Sequence, residues 1–232
     1  MIIQIYALTD LKTACQAVQL GVEYIGLVVG KYDLVFAELG FSQAQEIVSA
    51  LPPQATAVAL TMSADIEEIL RMANAVQPAI VHISSDLMDV DVPAMRELRN
   101  RLHPEIRLMK AIPVQDESSI SIAQDFAEVS DLLLLDSKHE GFPGVGATGL
   151  AHDWKISAKI VDAVSIPVIL AGGLSQENVA EAMQIAKPFG VDSNTSTNVQ
   201  GSRVEKDLHA IANFVKAVRS AERDLERMIL QK

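Results

Sequence analysis

An α/β fold, the (β/α)8 TIM barrel, is the class predicted here by three observations. Short apolar runs alternate with amphipathic stretches along the whole chain. Eight such units share 232 residues at even spacing, with no serine- or glycine-rich linker between them. The runs are apolar on both faces, as strands are when helices cover a parallel sheet. A barrel of eight units fits this length. A doubly wound open sheet is the alternative, and the even, uninterrupted spacing favours the barrel. A single domain over residues 1–232 is therefore expected, with a helical extension from about residue 220.

The elements follow in order. "IIQIYA" (2–7), "YIGLVV" (24–29), "ATAVALT" (55–61) and "AIVHIS" (79–84) read as the first four strands. "IRLMKAI" (106–112), "DLLLLD" (131–136), "PVILAG" (167–172) and "GVDSN" (190–194) read as the last four. β-branched and aromatic residues stock these runs. "DLKTACQAVQLG" predicts the first helix, with Leu11, Ala14 and Val18 in register and Gly21 as the stop. "SQAQEIVSAL" predicts another, with Ser42 as its N-cap. "SADIEEILRMANAV", "SQENVAEAMQIA" and "DLHAIANFVKAVRS" repeat the pattern. "ERDLERMILQK" (222–232) prolongs the last helix, with Leu225, Met228 and Ile229 on one side.

Composition narrows the function classes. The net charge of −11 argues against nucleic acid or an anionic membrane as the main partner. A small phosphorylated ligand stays open, because backbone amides at helix N-termini hold phosphate locally even in an acidic protein. The apolar runs are too short to span a bilayer, and the chain enters its first strand without a basic flank. Cys15 is the only cysteine, so no disulfide forms within the chain, and its place in the first helix predicts a core residue. A cytoplasmic monomer or homodimer is the expectation.

In such a barrel, chemistry sits where strands end and the following loops begin. Three glycine-bearing loops fall there: "GVGATG" (144–149), "AGGLSQENV" (171–179) and "GVDSNTSTNVQGS" (190–202). In the second, Gly172 and Gly173 let backbone amides approach a ligand, and Ser175 stands where it would cap the next helix. The same glycines could instead do no more than make tight turns. Asp136 ends the sixth strand, after four leucines. A carboxyl beside apolar walls is pushed towards its neutral form and suits a general acid; capping or bracing a loop is the plainer role. Lys110 in the fifth strand is a candidate substrate or phosphate contact; if buried it needs a partner, with Asp136 as the candidate, and a Schiff base is a remoter role. His82 in the fourth strand is either a ligand-binding group or a satisfied core histidine. His139, Glu140 and His152 match no metal-ligand spacing.

Taken together, "LTD", "GVEYIGLVV", "LMKAIPV", "LLLLDS", "GATGLAHDW", "IPVILAGGLSQENV" and "GVDSN" resemble the phosphoribosylanthranilate isomerase family in order and spacing, from Ile3 to Arg219. The resemblance implies a phosphate-binding barrel of tryptophan biosynthesis, working without metal or organic cofactor. The implied reaction is an Amadori rearrangement of an aminoaldose phosphate to an aminoketose phosphate. The family acid maps onto Asp136. Its strand-six loop maps onto Gly146, Ala147, Thr148 and Gly149. Its phosphate loops map onto Gly172 and Gly173, and onto Asn194, Thr195 and Ser196, where the family glutamate is missing. The family's basic cysteine is replaced by Tyr6, and its substrate-holding arginine by Leu39. The resemblance therefore implies a divergent member with an altered base and an altered substrate. His82 is the expected substitute base, on its unperturbed pKa near 6.5, with Tyr6 as base or substrate contact. The alternatives are the ordinary family reaction with a substitute base, and a phosphate-ligand-binding barrel without catalysis.

Overall fold

The computed structural model describes residues 1–32, 36–138, 144–145 and 152–230. Among these, β1 (Ile2–Ile5), α1 (Leu11–Gln19), β2 (Tyr24–Val29), β3 (Glu38–Leu39) and α2 (Phe41–Ala50) come first. Next are β4 (Thr56–Thr61), α3 (Ile66–Val76), β5 (Ile80–Ile83), α4 (Val92–Arg101), β6 (Arg107–Pro113) and α5 (Ser118–Ala127). The last third holds β7 (Leu132–Asp136), α6 (Trp154–Ala163), β8 (Val168–Leu170), α7 (Val179–Ala186), β9 (Gly190–Ser193), a 3-10 turn (Thr195–Thr197) and α8 (Leu208–Leu230).

The sheet is parallel and closed. Its order runs β1-β9-β8-β7-β6-β5-β4-β2, and β1 returns to β2 through Gln4↔Tyr24 and Ile5↔Ile25. These eight strands are those expected from the sequence. The added β3 pairs Val28↔Glu38 and Val29↔Leu39, on the upper half of β2. It carries Leu39, which is buried in the apolar layer between sheet and helices and presents no polar group.

Period-two alternation sorts the strand side chains into two cores. Ile3, Ile5, Leu27, Ile83 and Leu133 point outward to the helices. Tyr24, Val58, Ile80, Met109, Leu132 and Ile169 fill the barrel interior. Each large side chain so buried stabilises the fold by roughly 1.5–3 kcal/mol, so these layers, and not the loops, hold the barrel shut. Arg219 ties α8 to the first strands: it meets Glu23 and Glu222, and Glu222 meets the amino terminus of Met1.

The helices begin at the mouth of the barrel, and four of them are capped there by aspartates. Asp10, Asp65, Asp91 and Asp153 accept backbone N–H bonds from Thr13, Glu67, Ala94 and Lys155, each worth about 1 kcal/mol. Part of the negative charge is thus structural. Two predicted caps are corrected. The second helix starts at Phe41 after Gly40, so Ser42 lies inside it. The seventh starts at Val179, because Ser175 opens a preceding turn in which its carbonyl accepts from Asn178 and Val179. Cys15 is half-buried while Ala14, Ala17 and Val18 face the core. Among the described residues no helix is long and apolar enough to cross a membrane.

Candidate active site

The first strand stops at Ile5 and not at Ala7. Ala7 takes φ +63, an uncommon conformation for a residue with a Cβ, and this throws the chain from the barrel into the first loop. Tyr6 therefore stands at the strand's end with its ring inside the barrel, 5% exposed. Gly26 makes room for it: a Cβ there would lie 2.4 Å from the Tyr6 ring. The phenol meets His82 Nδ1 of β5 at 2.5 Å.

Tyr6 and His82 line a cavity of about 240 Å³ at the C-terminal ends of the strands. Asp136, Gly172, Gly173 and Asn194–Ser196 line it as well, so most of the described candidates converge. Gly146, Thr148 and Gly149, with His139 and Glu140, lie outside the described residues. Asp136 keeps part of its surface open to the cavity but is enclosed by the barrel wall. Burial raises its pKa to about 7, against hydrogen bonds from the Ser137 amide and hydroxyl that favour the anion.

A second carboxyl was missed by sequence reasoning. Asp192 lies on the inner side of β9 and lines the same cavity. Gln4, its register partner on β1, donates to it at 3.1 Å. Burial, and then the charge of Asp136, lift Asp192 to about 8. The signal was present but faint: two polar residues at inward positions of "IIQIYA" and "GVDSN", meaningful only once those strands are known to be neighbours.

The basis for His82 as a base is corrected. The ring is 2% exposed. Burial, followed by the charge of Lys110, lowers its pKa to about 3, so it is neutral and weakly basic at ordinary pH. Tyr6 is pushed well above its usual range by burial and by Asp192. The two form a neutral pair, and His82 Nε2 is buried without a partner among the described residues. Lys110 is corrected too. It does not reach Asp136; its ammonium donates to the Ser85 carbonyl at 2.7 Å and lies 5.6 Å from the Phe126 ring centroid, on the helix side of the sheet. His152 is bonded to Ser157 and held neutral by burial. Among the described residues no cluster of metal-ligating side chains occurs.

The two loops expected to hold an anion are laced together. Gly172 (φ +81) and Gly173 (φ +62) hold left-handed backbone that disfavours other residues. Ser193 and Ser196 both donate to the Leu174 carbonyl, at 2.9 and 2.7 Å, joining the loop after β8 to the loop after β9. Lys206 is buried beneath. Its ammonium donates to the Asn194 carbonyl and side chain, both at 2.9 Å, and to Asn198 at 2.7 Å. Lys206 is thus fixed under these loops without lining the cavity, and burial lowers its pKa to about 7.

The family model described as N-(5'phosphoribosyl)anthranilate (PRA) isomerase matches residues 3–217. The chain belongs to this family. Members of the PRA isomerase family are intramolecular oxidoreductases of the aldose–ketose type. N-(5'-phosphoribosyl)anthranilate isomerase 2 of Methanosarcina mazei is 35% identical over 93% of this chain and 92% of its own. The Haloarcula marismortui enzyme is 30% identical over 94% and 96%. The crystal structure of phosphoribosylanthranilate isomerase from Thermotoga maritima superposes with a TM-score of 0.79 at 26% identity, covering 95% of this chain and all of the other. The barrel agrees with that likeness.

Proposed function

We propose that the protein isomerises N-(5'-phosphoribosyl)anthranilate to the corresponding 1-arylamino-1-deoxyribulose 5-phosphate in tryptophan biosynthesis. The observation that carries this reading is the buried carboxyl of Asp136 facing the same cavity as the glycine-rich anion cradle. The phosphate is held at Gly172, Gly173 and Asn194–Ser196. Protonated Asp136 gives its proton to the furanose ring oxygen, the C1–O bond breaks, and the nitrogen lone pair forms an iminium. A base then removes the C2 proton, and that electron pair becomes the C1–C2 double bond of an enolamine. Transfer of the C2 hydroxyl proton away, with protonation at C1, completes the ketose.

Asp192 supplies the base in the minority form of the singly protonated pair, the one that keeps the proton on Asp136, since Asp192 near 8 holds its proton more tightly than Asp136 near 7. A carboxylate whose pKa is raised by burial and by a like neighbour is a stronger base than an exposed one. The neutral Tyr6–His82 pair takes the role of hydrogen-bonding the sugar hydroxyls through the free His82 Nε2. Turnover of phosphoribosylanthranilate, followed as loss of substrate fluorescence, tests the reading. No turnover by folded protein that still binds inorganic phosphate would sink it. That result would favour a second reading, a different phosphorylated sugar amine, for which the bulk of Tyr6 at the mouth speaks.

Lys206→Met is expected to loosen the cradle. The loss of charge-assisted bonds worth roughly 1.5–3 kcal/mol each should raise the inhibition constant of inorganic phosphate by about tenfold or more, with kcat falling less. An unchanged constant would remove Lys206 from phosphate binding.

A further inference from the structure

The proposed substrate carries two anionic groups, a phosphate and an aryl carboxylate. The cradle accounts for the first. Among the described residues no lysine or arginine lines the cavity to meet the second. Lys138 is engaged by Asp86 at 2.5 Å, and Lys206 is held beneath the cradle. Arg203 is different. It is exposed, and among the described residues no ion pair involves it.

Its position is built. Residues 198–206 form a tight loop closed by the Asn198–Lys206 bridge and by the Val199 amide donating to the Glu205 carbonyl at 2.8 Å. Ser202 Oγ accepts from the amides of Val204 and Glu205, fixing the tip that bears Arg203. From there the guanidinium lies over the ring of Phe36, 4.7 Å from its centroid. Phe36 comes from the connection between β2 and β3, lines the cavity, and is nevertheless 55% exposed. A large apolar ring left in water, carrying a cation that forms no ion pair among the described residues, at the rim of an anion-binding cavity, is a surface that an aromatic acid would cover. Burying the ring gains apolar contact, and the guanidinium matches a carboxylate with two parallel N–H donors.

We propose that Phe36 and Arg203 form the arylcarboxylate subsite, with Phe36 against the aryl ring and Arg203 on the carboxylate. This rests on the arylamino sugar phosphate reading above. It adds a specificity residue from the loop after β9, next to the phosphate cradle in sequence, so that one segment holds both ends of the substrate's charge.

Two reduced, non-isomerisable arylaminoribulose 5-phosphates test it, one made from anthranilate and one from aniline, which lacks the carboxylate. Dissociation constants are measured for the wild type, Arg203→Gln and Arg203→Lys. The wild type is expected to bind the anthranilate compound about 10–100-fold more tightly. Arg203→Gln should bind both compounds alike, at the wild type's level for the aniline compound, and Arg203→Lys should recover part of the preference. Retained preference in Arg203→Gln, equal weakening of both compounds, or no preference in the wild type would each overturn the subsite. Turnover is read separately. Preference without turnover defeats the isomerase reading and keeps the subsite; turnover without preference does the reverse.

Discussion

Asp136→Asn is expected to lower kcat/KM for phosphoribosylanthranilate by roughly 10²–10⁴-fold, the usual worth of a positioned acid. The amide is nearly the same shape and cannot give up a proton, so the far-ultraviolet circular dichroism should not change. The wild-type pH profile supplies the stronger check. Asp136 and Asp192 sit near 7 and near 8, and as interacting groups they share these two steps. Below about 7 both carboxyls are protonated and the base is missing. Above about 8 both are ionised and the acid is missing. The profile of kcat/KM should therefore be a narrow bell centred between those values, and Asp192→Asn should abolish its rising limb along with most of the activity. A broad profile flat from pH 6 to 9, or full activity in Asp192→Asn, would rule out the carboxyl pair.

Gly26→Ala should destabilise the barrel through its interior. The added Cβ would fall 2.4 Å from the Tyr6 ring, well inside contact distance. Overpacking of this kind costs roughly 1–3 kcal/mol, a fall in Tm of roughly 2–12 °C for a domain of this size. In a Tyr6→Cys background the obstacle is gone, and the same substitution should cost little. The difference between the two backgrounds measures the coupling; equal losses in both would show that Gly26 is needed for some reason other than the ring. Displacing Tyr6 also breaks its bond to His82, so kcat should fall with stability in the single variant and not in proportion to it.

The barrel was legible because its signals are local and repeated. Eight apolar runs, the "LLLLD" ending of one of them and the paired glycines at 172–173 each carry their meaning in a few neighbouring residues. Asp136 was legible as a candidate for the same reason: it is a lone acid at the end of an apolar run. β3 was not, since a two-residue strand has no periodicity to detect. His82 was assigned its task from an unperturbed pKa, which ignores the burial that Tyr6 and the barrel wall impose. Lys110 was misdirected because a strand's alternation does not by itself say which face is the inside; the register with Ile83 and the Phe126 ring decides that.

By itself, then, the sequence determined the eightfold alternation, the glycine-bearing loops after the strands, the carboxyl that ends the apolar run at residue 136 and the likeness to one enzyme family. Closure of the sheet decided the rest. It set Gln4 beside Asp192 across 188 residues of chain, brought Asp192 into the cavity with Asp136, and laid Arg203 on Phe36. These are contacts between residues far apart in the chain. Their energies depend on burial and distance, and neither exists until β1 has met both β9 and β2.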